Sequence, residues 1–318
     1  MTRTLRLFIL LASLAPLTGC LFRSRVVERR ESTAALRQAT RDELVTILDS
    51  YTAQIKTLDA TVDIAPSVGG SKKGKVTDYT EVRGYILIRK PAMLRMIGLF
   101  PVVRNRAFDM VSDGQNFRLS IPSKNKFIVG QNNVTYRSQQ GLEALRPQHI
   151  LDALLVKPID PKNEIAVLEA GSEIVINPRS KKQEDEPNYV LNVLRDHGAP
   201  LGWVLDRKIF FNREDLQISR ELLYDDSGNV ATDAHYSRYA DYGNTLFASV
   251  INLDRPQEEY SIVLTIVKLT FNQPLRDDQF ALAQPPGSQL LRLDVAPEPK
   301  PVATAAPSKS GGDAAPHE

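Results

Sequence analysis

The chain of 318 residues has a single cysteine, Cys20, so it can form no internal disulfide and no cysteine-rich metal cluster. Net charge is nearly absent too: 40 Lys and Arg stand against 38 Asp and Glu. Without residues 1–19, which hold Arg3 and Arg6, the balance is 40 − 2 = 38 against 38. That parity argues against a nucleic-acid binder driven by bulk positive charge. The four histidines, His149, His197, His235 and His317, never fall at the H-x-x-x-H or H-E-x-x-H spacing that puts two ligands on one helical face. No G-x-S-x-G elbow is present, and the carboxylate pairs Asp225-Asp226 and Asp277-Asp278 adjoin turns or helix starts, where Asp caps backbone donors. Gly69-Gly70-Ser71-Lys72-Lys73-Gly74-Lys75-Val76 nearly spells a phosphate-binding loop. Val76, however, stands where the metal-binding hydroxyl belongs, and a strand follows instead of a helix, so a basic hairpin is expected. The segment from Arg179 to Glu186 reads as a solvated loop of mixed charge. These absences lead us to expect a protein without a cofactor or metal that is not an enzyme. An acid/base pair assembled from distant residues is the alternative.

What is present begins with an address. Arg3 and Arg6 precede an apolar stretch from Leu7 to Leu17, shorter than the ~20 residues a membrane-spanning helix needs. Leu17-Thr18-Gly19-Cys20 follows and resembles the bacterial lipobox, in which the cysteine sulfur takes a diacylglycerol. The reading is a signal peptide over 1–19 and lipidation at Cys20, with Leu21 rather than Asp next, which in the Gram-negative sorting rule implies the outer membrane. Residues 20–39 form a tether whose Arg23, Arg25, Arg29 and Arg30 either meet headgroups or are simply solvated. Residues 294–318 are rich in Pro, Ala, Ser and Gly and are expected to be a disordered tail.

Between tether and tail, Thr40-Arg41-Asp42-Glu43 marks a helix start, followed by Leu44, Ile47, Leu48, Tyr51 and Ile55 at helical spacing. Short β-branched and aromatic runs then alternate with turn signals, Ser112-Asp113-Gly114 and Ser123-Lys124-Asn125 among them, as in an antiparallel meander. A second helix with a dense apolar surface is expected from Pro147 to Val156. In the run from Trp203 to Phe211, Trp203, Leu205, Ile209 and Phe211 fall on one face, with Arg207 breaking the pattern. The fold class is therefore α+β and mainly β: a wide sheet that must curl, with one apolar face and two helices to cover it. Such a concave face either packs solid or leaves a cavity, and hydrophobic patterning does not decide between them.

The order of parts resembles the LolA/LolB lipoprotein-localisation superfamily. The likeness rests on Gly84-Tyr85-Ile86-Leu87-Ile88-Arg89-Lys90-Pro91 followed by Leu94-Arg95-Met96, on the inserted apolar helix, and on the closing run from Asp278 to Gly287. It implies, over 40–293, a half-barrel closed by helices over an apolar cavity that binds acyl chains of lipoproteins or other lipids. On that reading Ile86, Leu94, Met96, Phe108, Phe117, Trp203, Leu205 and Phe211 line the cavity and Leu151 and Leu155 act as a lid. Leu99, Phe100, Val102 and Val103, beside Arg104 and Arg106, match the membrane-dipping loop of a LolB-like acceptor; ending a buried strand is the other reading of Leu99 and Phe100. The expected partners are the membrane, through Cys20, an acyl chain as ligand, and a periplasmic carrier or envelope protein. The alternative function is a structural or sensory lipoprotein whose sheet binds a protein.

Overall fold

A computed structural model describes residues 28–29, 35–132, 145–176 and 181–293. The expected signal peptide, Cys20 and the tail 294–318 lie outside these residues, as do Arg179 and Ser180. The first helix, α1 (Arg41–Ala53), starts where the Thr-x-x-Glu spacing places it. Glu43 N donates to Thr40 Oγ1 at 3.3 Å and Thr40 N donates to Glu43 Oε2 at 2.7 Å, satisfying two helix-end donors reciprocally.

The strands are β1 (Glu28–Arg29), β2 (Thr57–Gly70), β3 (Lys75–Asp78), β4 (Val82–Arg89), β5 (Met93–Leu99), β6 (Arg106–Ser112), β7 (Asn116–Ile121) and β8 (Lys126–Gln131). After α2 (Pro147–Leu154) come β9 (Glu164–Ile176), β10 (Gln183–Asp196), β11 (Trp203–Asn212), β12 (Ile218–Tyr224), β13 (Val230–Asp241), β14 (Leu246–Arg255), β15 (Tyr260–Phe271) and β16 (Gln289–Arg292). They form one 16-stranded, open, curved sheet. Its order runs β10 through β15, then β2, β4 through β8 and β16, with β9 beside β10 and β3 beside the far end of β2. The pairs β1–β10 and β8–β16 are parallel and every other pair is antiparallel, so the expected meander is present with a short parallel pair toward each edge.

The topology explains where the second helix lies. From β2 the chain steps outward to β8, crosses to the opposite edge through α2, and steps back from β9 to β15 beside β2. That crossing lays α2 over the concave face against β6 and β14, with Ile150, Leu151, Ala153 and Leu154 buried. The charged Gln183–Glu186 run, expected in a solvated loop, instead extends β10 together with Pro187. They pair with a continuous β9 from Gln183↔Ile176 to Arg195↔Glu164, and cross-strand pairing outweighs the polar composition.

One assignment of faces is corrected. Val193 pairs with Arg207, but the next residue, Leu194, pairs with Leu205, and Asp196 pairs with Trp203, so β11 carries a bulge at Asp206. Leu191 and Val193 face inward with Ile209 and Arg207, whereas Leu205 and Trp203 stand opposite outward residues and turn to the convex face. Trp203 is accordingly 47% exposed. Trp203 and Leu205 therefore do not line the concave wall, and Arg207, the residue that broke the alternation, marks where the register slips.

Candidate functional site

The concave wall is not filled everywhere. A cavity of about 460 Å³ lies between Ile64 and Val68 of β2, Val82 of β4, Met96 of β5, Phe108 of β6, Leu119 and Ile121 of β7 and Ile262 of β15, roofed by Leu145 just before α2. Its mouth is ringed by Tyr79, Thr80, Phe100, Ser123 and Lys124, all in connections at one end of the sheet. Two glycines shape the wall. A Cβ at Gly98 would come within 2.3 Å of the Phe108 ring, and one at Gly84 within 2.4 Å of Ile64 Cδ1. Both side chains lie down on the strands because those positions are bare, leaving the centre open. The inward residues of β4 to β7 are apolar or glycine apart from Ser112, so this wall offers a guest dispersion and water exclusion and almost no hydrogen bonds.

Of the residues expected to line a cavity, Met96 and Phe108 do so. Ile86, Leu94, Phe117, Leu151, Leu155 and Phe211 are buried in the continuous core around it and pack against one another rather than against the void. Ile64, Val68, Val82, Leu119, Ile121, Leu145 and Ile262 were missed. The period-two pattern of β2 marks its inward residues, but nothing in a pattern says where along a strand the helix cover stops.

The loop between β5 and β6 projects at the mouth. Leu99 closes β5 half-buried, Phe100 lines the mouth, and Val102 and Val103 are 97% and 65% exposed. Arg104 N donates to Phe100 O at 3.1 Å and Val103 N to Pro101 O at 2.8 Å, tightening the turn until Val102 sits at φ 68° and Arg104 at φ 53°. Positive φ is unfavourable for a β-branched residue, so the turn holds Val102 outward against a backbone cost of about 1–3 kcal/mol.

Charge is handled in two ways. On the convex face, arginines hold the closing segment by its carbonyls: Arg89 Nη1 donates to Leu275 O at 3.0 Å, Arg95 Nη1 to Gln279 O at 2.8 Å and Arg118 Nη1 to Leu282 O at 3.1 Å. Arg89 also lies 5.2 Å from the Phe280 ring centroid, so the two segments that carried the family resemblance meet here. Inside the β9–β15 half, buried Arg207 grips Glu164 through two bonds of 3.0 and 2.8 Å and donates to Pro158 O at 2.9 Å, with Arg195 joining at 2.8 Å. Burial alone would raise the Glu164 pKa. Hydrogen bonds from Arg207, the Asp160 amide and Arg195 outweigh it and hold the carboxyl at about 2. Glu221 accepts a long 3.4 Å contact from Tyr236 Oη, and burial lifts its pKa to about 8 against the opposing charge of Arg207. His149 of α2 meets Tyr260 Oη through Nδ1 at 2.8 Å; burial, then the charges of Arg255 and Arg146, keep it neutral. These groups brace the helix and its exit and do not line the cavity.

Among known proteins, no family model matches the chain. No curated protein matches it either. Solved structures with a related fold include a DUF1329 family protein from Desulfovibrio piger, at 14% identity and TM-score 0.46 over 75% of this chain and 94% of that one. A LolA superfamily protein from Nitrosomonas europaea matches at 13% identity and TM-score 0.46 over 77% of this chain and 99% of that one. A Vibrio parahaemolyticus domain classed with outer membrane lipoprotein-sorting proteins matches at 11% and 0.43, over 75% and 94%. The likeness is one of fold.

Proposed function

We propose that the protein is a lipid-anchored, non-enzymatic carrier that shelters the acyl chains of lipids or lipoproteins in the concave cavity during transport or insertion in the cell envelope, facing the periplasm from the outer membrane. The observation that carries this reading is the pairing of an apolar cavity of about 460 Å³ with a projecting apolar loop at its mouth. That volume falls within the range of ~300–1,000 Å³ of small-molecule sites. Keeping ~14 methylenes from water at about 0.8 kcal/mol each amounts to roughly 11 kcal/mol, which a transfer protein must supply by burial. An inward wall that is apolar or glycine from β4 to β7 apart from Ser112 suits holding a chain and releasing it unaltered. Anchoring through Cys20 would keep the mouth within reach of a membrane.

Native mass spectrometry of the purified, delipidated protein should find it taking up a fatty ligand, and Met96→Trp, which fills the cavity, should abolish uptake. Wild-type protein that neither retains nor acquires an acyl chain would overturn the proposal. A second reading, docking of an envelope protein, is favoured by the convex patch of Ile165, Val167 and Trp203 at the β9 edge, each 43–50% exposed. A stable partner lost on Trp203→Glu, with acyl uptake absent, would decide for it.

A further inference from the structure

We infer that the occupant of the cavity is an amphiphile with an anionic headgroup, and that Lys73, Lys75 and Arg104 hold that headgroup at the mouth. The inference rests on the acyl-chain reading and adds the chemical class of the molecule that bears the chain.

The loops gathered at the open end of the sheet differ in charge according to the half they join. In the cavity half, the β2–β3 hairpin carries Lys72, Lys73 and Lys75, the β5–β6 loop, whose Phe100 lines the mouth, carries Arg104, and the β7–β8 turn carries Lys124, which itself lines the mouth. Asp78, at the end of β3, and Glu81, before β4, are the acidic residues nearby, and Asp78 accepts from Ser67 Oγ at 2.7 Å. At the same end of the other half, the β12–β13 turn carries Asp225 and Asp226 and the β14–β15 turn carries Glu258 and Glu259. The two sets adjoin, since Glu259 O accepts from Gly69 N at 2.8 Å. The open end is therefore basic where the cavity opens and acidic beside it.

Part of the basic side spends no charge on the fold. Lys73, Lys75 and Arg104 are exposed and make no ion pair among the described residues, whereas Lys72 donates to Gln257 O at 3.0 Å. An acyl chain alone would need only the apolar wall. A collar of cations above that wall, with carboxylates confined to the adjoining turns of the other half, attracts an anionic group to the mouth and repels it from the neighbouring side. A phosphate or carboxylate headgroup fits this field, and a zwitterionic one gains little from it. The headgroup could belong to a lipid monomer with its chain in the cavity or to a bilayer surface; Lys124 at the rim of the cavity itself favours the monomer.

The test is equilibrium dialysis of the purified full chain against lysophosphatidylglycerol and lysophosphatidylcholine bearing the same acyl chain, each below its critical micelle concentration, at low and at high ionic strength. The anionic lipid should bind at least about tenfold tighter at low salt, with the preference shrinking as salt rises. The triple variant Lys73→Glu, Lys75→Glu, Arg104→Glu should lose the preference while keeping its affinity for lysophosphatidylcholine. Equal binding of the two lipids by the wild type would overturn the headgroup inference and leave the acyl site standing; binding of neither would remove both. Full competition by glycerol phosphate, which has no chain, would show a free-anion site and overturn the inference. So would a triple variant impaired only in sedimenting with phosphatidylglycerol vesicles, because the collar would then serve a bilayer.

Discussion

Between β9 and β15 the concave face is covered: α1 sets Tyr51 against Phe247 at 5.8 Å between ring centroids, and Phe247 in turn meets Phe271 at 5.6 Å. Between β2 and β7 the cover ends at Leu145 and the cavity remains. The halves also bury ions differently. In the covered half Arg207, Glu164 and Glu221 are buried within, while in the cavity half Arg89, Arg95 and Arg118 sit on the convex face and bind the closing segment. The contrast has a physical basis. A buried ion must be gripped by fixed partners, which demands a filled and rigid surround, whereas an apolar void can stand empty or take a guest only if no unpartnered charge faces it.

The largest effect should come from breaking the grip in the covered half. Arg207→Met leaves Glu164 buried with Arg195 and the Asp160 amide as its partners among the described residues, and should cost about 3–5 kcal/mol of stability by urea denaturation while leaving the cavity wall intact. Glu221 should give a smaller effect with a definite sign. Its folded pKa, about 8, lies above the ordinary 4.5, so the folded state binds the extra proton. Its contribution is complete below about pH 4.5 and is lost as pH rises toward 8. Glu221→Gln should therefore be close to neutral at pH 4.5 and gain on the wild type through that window, a difference visible in paired denaturation curves at the two ends.

A matched pair of substitutions sharpens the comparison further. Ile209→Trp overpacks the filled half and should cost about 1–3 kcal/mol. Met96→Trp performs the same operation where space exists, should cost less than about 1.5 kcal/mol, and should end acyl uptake. Equal costs at the two positions would mean that the cavity closes up in solution.

How far these halves could be read from the residues differs between them. Most strands, both helices and the Thr40–Glu43 cap follow from period and turn chemistry, because each depends on near neighbours, whereas the join of β9 into one strand, the start of β10 and the edge strand β16 depend on distant pairing. The face of Trp203 and Leu205 does not, since it depends on a bulge that only the pairing of β10 with β11 reveals. The cavity was legible as one of two outcomes. Met96 and Phe108 were among the residues expected to line it, but Ile64, Leu119 and Ile262 are no different in pattern from residues packed solid. What separates them is the reach of α2, a long-range property set by the crossing from β8 to β9. The basic turn at Lys72–Lys75 was legible as a hairpin, and its position beside a cavity mouth was not.

The smallest effect on stability should be found at the tip of the β5–β6 loop, where it discriminates best. Val102 and Val103 touch little, so Val102→Asp with Val103→Asp should change stability by no more than about 0.5 kcal/mol. If the tip enters a bilayer beside the mouth, the same change should sharply reduce association with vesicles, because each new carboxylate would have to be desolvated, yet leave the affinity for a monomeric acyl ligand unchanged. Val102→Gly asks the question from the other side. Glycine accepts φ 68° without penalty, so this variant should unfold at higher urea, by up to about 1 kcal/mol, even as it loses apolar surface for the membrane. A chain that becomes more stable and attaches less well when its strained valine is removed would show that the turn holds that residue outward for contact with a bilayer and not for the fold.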